Sequence, residues 1–151
     1  MQRLDSYYIN RGTCAVMPID KGVSKVIELD CSYIVDKSPN EIIDDSCKYF
    51  GSSYQGRFDG SKKILNMNYK LPIMIEEFNN LIFFPTSSPR FDECNWISLG
   101  NIKSYLKEKA FSKIIFNNEN EIILEISYYS LENQIFRATM LDSFLRKRRN
   151  M

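Results

Sequence analysis

Ser46-Cys47-Lys48-Tyr49-Phe50-Gly51-Ser52-Ser53-Tyr54-Gln55-Gly56-Arg57 is the stretch from which the rest of this 151-residue sequence unfolds. Just ahead of it, Ser38, Pro39 and Glu41 make a helix start. The hydroxyl caps free amides, the proline is preset for the first helical position, and the carboxylate reinforces the cap. A helix is therefore expected over residues 38–50. Gly51 ends it in the left-handed conformation and opens a turn holding two hydroxyls, a phenol, an amide and a guanidinium. Such a turn is either a helix stop followed by a solvated loop or a seat for an anionic oxygen, most simply a phosphate. Gly51 and Gly56 have the spacing of a nucleotide-binding P-loop. Arg57-Phe58 stands where that motif needs lysine and a hydroxyl, and the turn follows a helix instead of a strand, so nucleotide hydrolysis is excluded there.

Upstream, two apolar runs at 7–9 and 14–17 flank Asn10-Arg11-Gly12 and read as a hairpin, with further short strands at 25–28 and 32–35. Downstream, Asp59-Gly60 is a turn signal, and residues 62–69 alternate loosely as a strand starting with two lysines. Strands at 72–76 and 81–84 are separated by Phe78-Asn79-Asn80. Leu81-Ile82-Phe83-Phe84 is apolar without alternation, as in a central strand covered on both faces that stops at Pro85. The loop Thr86-Ser87-Ser88-Pro89-Arg90 ends in an arginine among hydroxyls, a composition suited to a backbone phosphate and equally to a plain surface loop. Trp96 reads as core packing before it reads as a base-stacking platform. A strand at 102–106 precedes a hairpin of 113–116 and 121–126 around Asn117-Asn118-Glu119-Asn120. From Ser130 the pattern turns helical, with Leu131, Ile135, Ala138 or Thr139, Leu141 or Asp142, and Leu145 at helical spacing and Phe136, Met140 and Phe144 alongside, a broad apolar face. Arg146-Lys147-Arg148-Arg149 at its end suits the helix dipole or a phosphate. The expected fold is α+β: one strand-rich domain of antiparallel hairpins and a meander, with a helix near 38–50 and a C-terminal helix near 129–148.

Composition narrows the function. With 44% hydrophobic and 26% charged residues the chain reads as an ordinary globular domain. No apolar run reaches the roughly 20 residues that span a bilayer, and Met1-Gln2-Arg3-Leu4-Asp5 opens no signal-peptide core, so a cytoplasmic place is expected. Cys14, Cys31, Cys47 and Cys94 lack any paired spacing and read as reduced, mostly buried thiols. Histidine is absent, which removes the commonest general base and a common metal ligand. No catalytic, cofactor or metal site is expected. The net charge of +1 hides segregation: residues 46–70 carry +4 and residues 137–149 another +4, leaving −7 for the remainder. Two basic blocks in an acidic chain read as one electropositive face for nucleic acid, or as two solvated segments.

Several blocks together resemble the ComK family of competence transcription factors: residues 46–57, Lys70-Leu71-Pro72-Ile73-Met74, Phe83-Phe84-Pro85-Thr86, Cys94-Asn95-Trp96-Ile97-Ser98, and Ser127-Tyr128-Tyr129-Ser130-Leu131-Glu132-Asn133-Gln134-Ile135-Phe136-Arg137. The resemblance covers most of the chain in the same order. It implies an activator of DNA-uptake genes that binds paired A/T-rich boxes in double-stranded promoter DNA, largely through the minor groove, as cooperating homodimers. RNA polymerase and an adaptor that delivers the protein to the ATP-dependent Clp protease are further implied partners, with no membrane association. Carried onto this chain it raises Ser52, Ser53, Tyr54, Gly56 and Arg57, with Gln55 between them, and then Asn133, Gln134 and Arg137. Chemistry adds Arg90, which with Arg57 is the first choice for insertion into a narrow A/T groove, and Lys62, Lys63 and Lys70 for phosphates. Leu71 stands where the family tends to have a second proline. Longer members of the family also continue well past the segment corresponding to Arg137, whereas this chain stops at Met151. Two alternatives accompany this reading: a paralogue that binds DNA without activating, and a protein-interaction module whose aromatics dock a regulator or a protease adaptor.

Overall fold

The capping signal at Ser38 is realised in full. In the computed structural model, which describes residues 1–90 and 94–151, Ser38 Oγ accepts from the Glu41 amide and the Glu41 carboxylate accepts from the Ser38 amide. Helix α1 (Pro39–Tyr49) follows, and buries Ile42, Ile43 and Cys47. Before it come β1 (Gln2–Leu4), β2 (Thr13–Asp20), β3 (Val23–Glu28) and β4 (Ser32–Val35). After it come α2 (Tyr54–Leu65), β5 (Ile73–Glu76), β6 (Leu81–Pro85), β7 (Trp96–Ser98), β8 (Ile102–Glu108), β9 (Phe111–Phe116), β10 (Glu121–Leu124) and α3 (Tyr128–Arg149).

Seven strands form one sheet in the order β1-β4-β3-β2-β7-β6-β5, antiparallel except for the β1–β4 pair, and β10-β9-β8 form a second antiparallel sheet. Side-chain alternation along the strands divides the core in two. Val16, Phe83, Ile73, Ile75 and Trp96 join α1 on one face of the large sheet. Ala15, Ile82, Phe84, Met74 and Ile97 meet α3 and the small sheet on the other, through Ile114, Phe116, Leu124, Leu131, Ile135, Ala138 and Leu141. The α+β class, the meander β2–β4, the β9–β10 hairpin, the buried inner strand β6 and both anticipated helices agree with the sequence reading. Trp96 is wholly buried, in keeping with a core role.

Four local expectations are corrected. Residues 7–9 are not a strand. Tyr7 and Ile9 are buried, but the Ile9 amide donates to Ser46 Oγ of α1 (3.0 Å), so the segment is anchored to the helix, and β2 takes β3 as its hairpin partner instead. The Asn10-Arg11-Gly12 turn survives, closed by the Thr13 amide on the Asn10 carbonyl (3.0 Å). Residues 52–57 are not an open loop and Asp59-Gly60 is not a turn: both lie at or within α2, which Ser53 caps by accepting from the Gly56 amide (3.0 Å). A strand at 62–69 is likewise absent, because α2 runs to Leu65 and Asn66 then takes a left-handed conformation (φ 54°).

Gly51, at φ +89°, separates the two helices. The amides of Gly51 and Ser52 return to the carbonyls of Lys48 and Cys47 (3.0 and 2.9 Å), which closes α1 and lets Ser53 open α2 two residues later. Gly51→Ala is expected to lower the unfolding free energy by about 1 kcal/mol, since an L side chain is strained at that angle. Gly60→Ala, inside α2 and facing open space, is expected to raise it by about 0.5–1 kcal/mol. Urea denaturation of the two variants checks the pair, and the opposite order would refute this account of the α1–α2 joint.

Candidate nucleic-acid interface

Helix α2 draws the family-like block into a surface site. Its first amide, that of Tyr54, donates to Asp44 of α1 (2.9 Å), and Asp44 also pairs with Lys48 (3.0 Å). Burial acts to raise the Asp44 carboxyl, but the bonds from Tyr54 and Lys48 outweigh it and hold the group below its ordinary value. The Tyr54 ring stands edge-on to Trp96, with centroids 6.0 Å apart. Burial pushes its phenol up to about 12, so at neutral pH it is an uncharged hydroxyl. Gly56 leaves room for the capping hydroxyls: a Cβ there would lie 3.3 Å from both Ser52 Oγ and Ser53 Oγ.

Between the start of α2, residues 68–70 and the loop at 88–90 lies a cleft of about 510 Å³, lined by Tyr54, Gln55, Phe58, Asn68, Tyr69, Lys70, Ser88, Pro89 and Arg90. Four of the residues singled out from sequence, Tyr54, Gln55, Lys70 and Arg90, thus share one concavity. Ser53 lines the adjoining hollow beyond Tyr54 and Gln55. Lys62 and Lys63 line another with Asn68, which is common to it and the cleft. The arrangement is a groove with two cations inside it, two lysines beside it, amide groups at Gln55 and Asn68, and aromatic walls.

The other candidates sit differently. Arg57 does not line the cleft: its guanidinium pairs with Glu77 (3.2 Å), its side chain is 23% exposed, and its Nε is buried with no hydrogen-bond partner among the described residues. Ser52 is half-buried beside Gly56, which is itself exposed. Arg137 donates to the Tyr69 carbonyl (3.0 Å) and lies over the Tyr69 ring (5.4 Å), so it braces the cleft rim. Asn133 is exposed one turn earlier on α3. Gln134 is buried at 2% exposure and reaches no surface. Its Nε2 donates to the carbonyls of Lys70 (2.9 Å) and Pro85 (2.7 Å), the two segments that carry Lys70 and the loop to Arg90. Gln134 is accordingly a positioning residue for both walls.

The turn at 77–80 meets both basic blocks: Arg57 pairs with Glu77 and Arg149 with Asn80. Of the second block only Arg137 touches the cleft rim. Arg149 donates to Asn80 (3.3 Å) and Arg146 to Asp142 (2.7 Å), roughly 14–18 Å further along the helix at 1.5 Å per residue. Sequence reading overlooked Phe58, Asn68 and Tyr69. The available signal was Asn68-Tyr69-Lys70, a polar, aromatic and basic run held between the apolar anchors Leu65 and Leu71.

Among the described residues no cluster of three metal-binding side chains occurs, and no helix is long and apolar enough to cross a membrane. Cys14, Cys47 and Cys94 are buried and Cys31 is exposed, all as free thiols. Across residues 4–150 the chain matches the family model described as ComK protein. It is 41% identical over 143 residues to the competence transcription factor of Bacillus subtilis (strain 168), an alignment covering 91% of this chain and 74% of that protein. No solved structure matches the chain.

Gln134→Ala removes the side-chain donor shared by the Lys70 and Pro85 carbonyls and is expected to destabilise the fold by about 2–3 kcal/mol. Gln134→Glu is expected to be at least as harmful, since a carboxylate repels both carbonyls. Denaturant midpoints of the two variants test this; loss of less than about 0.5 kcal/mol in both would show that the bridge is dispensable.

Proposed function

The chain belongs to the ComK family of competence transcription factors, and on that premise we propose that it binds A/T-rich promoter DNA through the cleft between α2, residues 68–70 and the 88–90 loop. The observation that carries this reading is the convergence of Lys70, Arg90, Gln55 and Asn68 with Tyr54 and Tyr69 around one groove. Cations meet phosphates, while arginine and side-chain amides match the acceptors that A·T pairs present in the minor groove. A narrow A/T-rich groove further attracts an arginine. Arg90 is the reader in this proposal, Lys70, Lys62 and Lys63 hold the backbone, and Arg137 and Gln134 position the walls. Arg57 reaches DNA only by exchanging Glu77 for a phosphate.

The reading extends to transcription activation at DNA-uptake genes. Homodimers, or pairs of them, occupy paired boxes, RNA polymerase is the downstream partner, and an adaptor to the Clp protease sets the protein's level. Family membership supports these partners.

Fluorescence anisotropy with a duplex of two A/T-rich boxes and a G/C-rich control, titrated with salt, tests the binding step. Preference for the A/T duplex is expected, with affinity falling steeply as salt rises. Arg90→Ala is expected to cost about tenfold in affinity and to reduce the A/T preference. Lys70→Ala is expected to weaken both duplexes alike and to reduce the salt slope by about one. Equal weak binding to the two duplexes, or unchanged affinity in the Lys70→Ala, Arg90→Ala double variant, would overturn the assignment.

A further inference from the structure

Pro89 is a ridge between two hollows. It lines the cleft on one side and, on the other, the adjoining hollow with Asn40, Tyr54 and Gln55. Where that ridge stands decides the width of the cleft and the place of Arg90, the next residue. The near end of its loop is tied to the segment before β7. The Thr86 amide donates to the Asn95 carbonyl (2.9 Å), Asn95 Nδ2 to Thr86 Oγ1 (3.2 Å) and Cys94 Sγ to the Ser87 carbonyl (3.5 Å). The far end is held from α1. Asn40 Nδ2 donates to the Pro89 carbonyl (2.6 Å), and Asn40 Oδ1 accepts from the indole N–H of Trp96 (3.0 Å).

A short primary amide meets what this geometry asks. An indole nitrogen only donates and a carbonyl only accepts, so the side chain between them must accept with one atom and donate with the other. Aspartate would keep the indole and repel the carbonyl; alanine would serve neither. Trp96 is wholly buried in β7, so the bridge hangs from a fixed point of the core. The same indole lies edge-on to Tyr54 at the start of α2 (6.0 Å), and two walls of the cleft therefore take their position from one ring. The Pro89 carbonyl and the Arg90 amide belong to one planar peptide unit. Asn40 holds its oxygen, and its N–H donates to Ser88 Oγ (3.4 Å). A peptide plane held at both edges fixes the direction in which the Arg90 side chain leaves the loop. A recognition group needs placement to roughly 0.5 Å, and an untethered loop must be ordered at the moment of binding, which weakens it. We propose that Asn40 is a positioning residue for Arg90, and that its bridge from Trp96 to the Pro89 carbonyl sets the preference for A/T-rich DNA without touching DNA. This rests on the reading of Arg90 as the group that enters the groove.

Two arms test it, the first without DNA. In tryptic digests read by mass spectrometry, Asn40→Ala and Asn40→Asp are expected to speed cleavage after Arg90 by about tenfold relative to cleavage after other basic residues. General loss of fold would speed all sites together. Asn40→Asp keeps the acceptor for Trp96 and so removes the loop bond alone. Unchanged relative cleavage after Arg90 in both variants would overturn the proposal. In the second arm, anisotropy with the A/T-rich and G/C-rich duplexes, Asn40→Ala adds no charge. It is expected to cost about fivefold on the A/T duplex, to spare the G/C duplex and to leave the salt slope unchanged. The Asn40→Ala, Arg90→Ala double variant is expected to bind no worse than Arg90→Ala, because the bridge acts only through that arginine. Losses that multiply, or equal loss on both duplexes, would make Asn40 a general support of the fold and overturn its assigned role. A parent chain without A/T preference would overturn the DNA reading and with it that role, whereas the tryptic arm reports the bridge itself in either case.

Discussion

A single buried amide holds this molecule's surface in order. Gln134 is buried on α3, and its Nε2 joins the carbonyls of Lys70 and Pro85, at 2.9 and 2.7 Å, which belong to segments fifteen residues apart in sequence. Both carbonyls sit at strand ends: residue 70 precedes β5 and residue 85 closes β6. Buried carbonyls without partners are costly, so one side chain that satisfies two of them also fixes the separation of the chains that carry them. The cleft inherits that separation. Lys70 itself is in a left-handed conformation (φ 54°), a geometry a lysine adopts only where its surroundings dictate it.

That role also explains why a glutamine in a distinctive block reads ambiguously. A glutamine beside an asparagine and an arginine, on a helix, has the composition of a groove reader, and nothing in the sequence says which way it faces. The phase of the helix does: Gln134 is adjacent to Leu131, Ile135, Ala138 and Leu141 on the inward side, whereas Asn133 and Arg137 are turned outward. Arginines 57 and 90 make the same point in reverse. Both follow hydroxyl-rich turns and are alike in sequence, yet Arg57 is drawn to Glu77 from the β5–β6 turn and Arg90 stands on the cleft wall. Long-range partners decide between equivalent local chemistries.

Most of the architecture was legible because its signals are local. The Ser38–Glu41 capping box, the unbroken apolar run of β6, the Asn-rich turn between β9 and β10 and the 3.6-residue periodicity of α3 each name an element unaided. Helix α2 was not legible. Its twelve residues include Gly56 and Gly60, its apolar face is interrupted by Ser61, and its start directly follows a glycine helix stop, so every local preference favours a loop. Packing against β5 and α3 and the Ser53 and Asp44 caps override those preferences. Strand β1 was illegible for a different reason. It is three exposed or half-buried residues held by parallel pairing to β4 and by Arg3 on Asp36, neither of which leaves a pattern in Gln2-Arg3-Leu4.

Under the proposed DNA-binding reading, a chain of net charge +1 must hold a polyanion. One groove with two cations inside and two beside it makes few phosphate contacts. Binding that rests on so few counterions released is weak at physiological salt, and sequence preference adds to it only modestly. Joining two such grooves converts the second contact into an intramolecular one, which multiplies affinity without any new chemistry provided the spacing is fixed. A flexible link would forfeit much of that gain. Here Gln134 holds the cleft from the inner face of α3 and Arg137 braces its rim from the outward side, so one rigid helix fixes the groove that each copy would present.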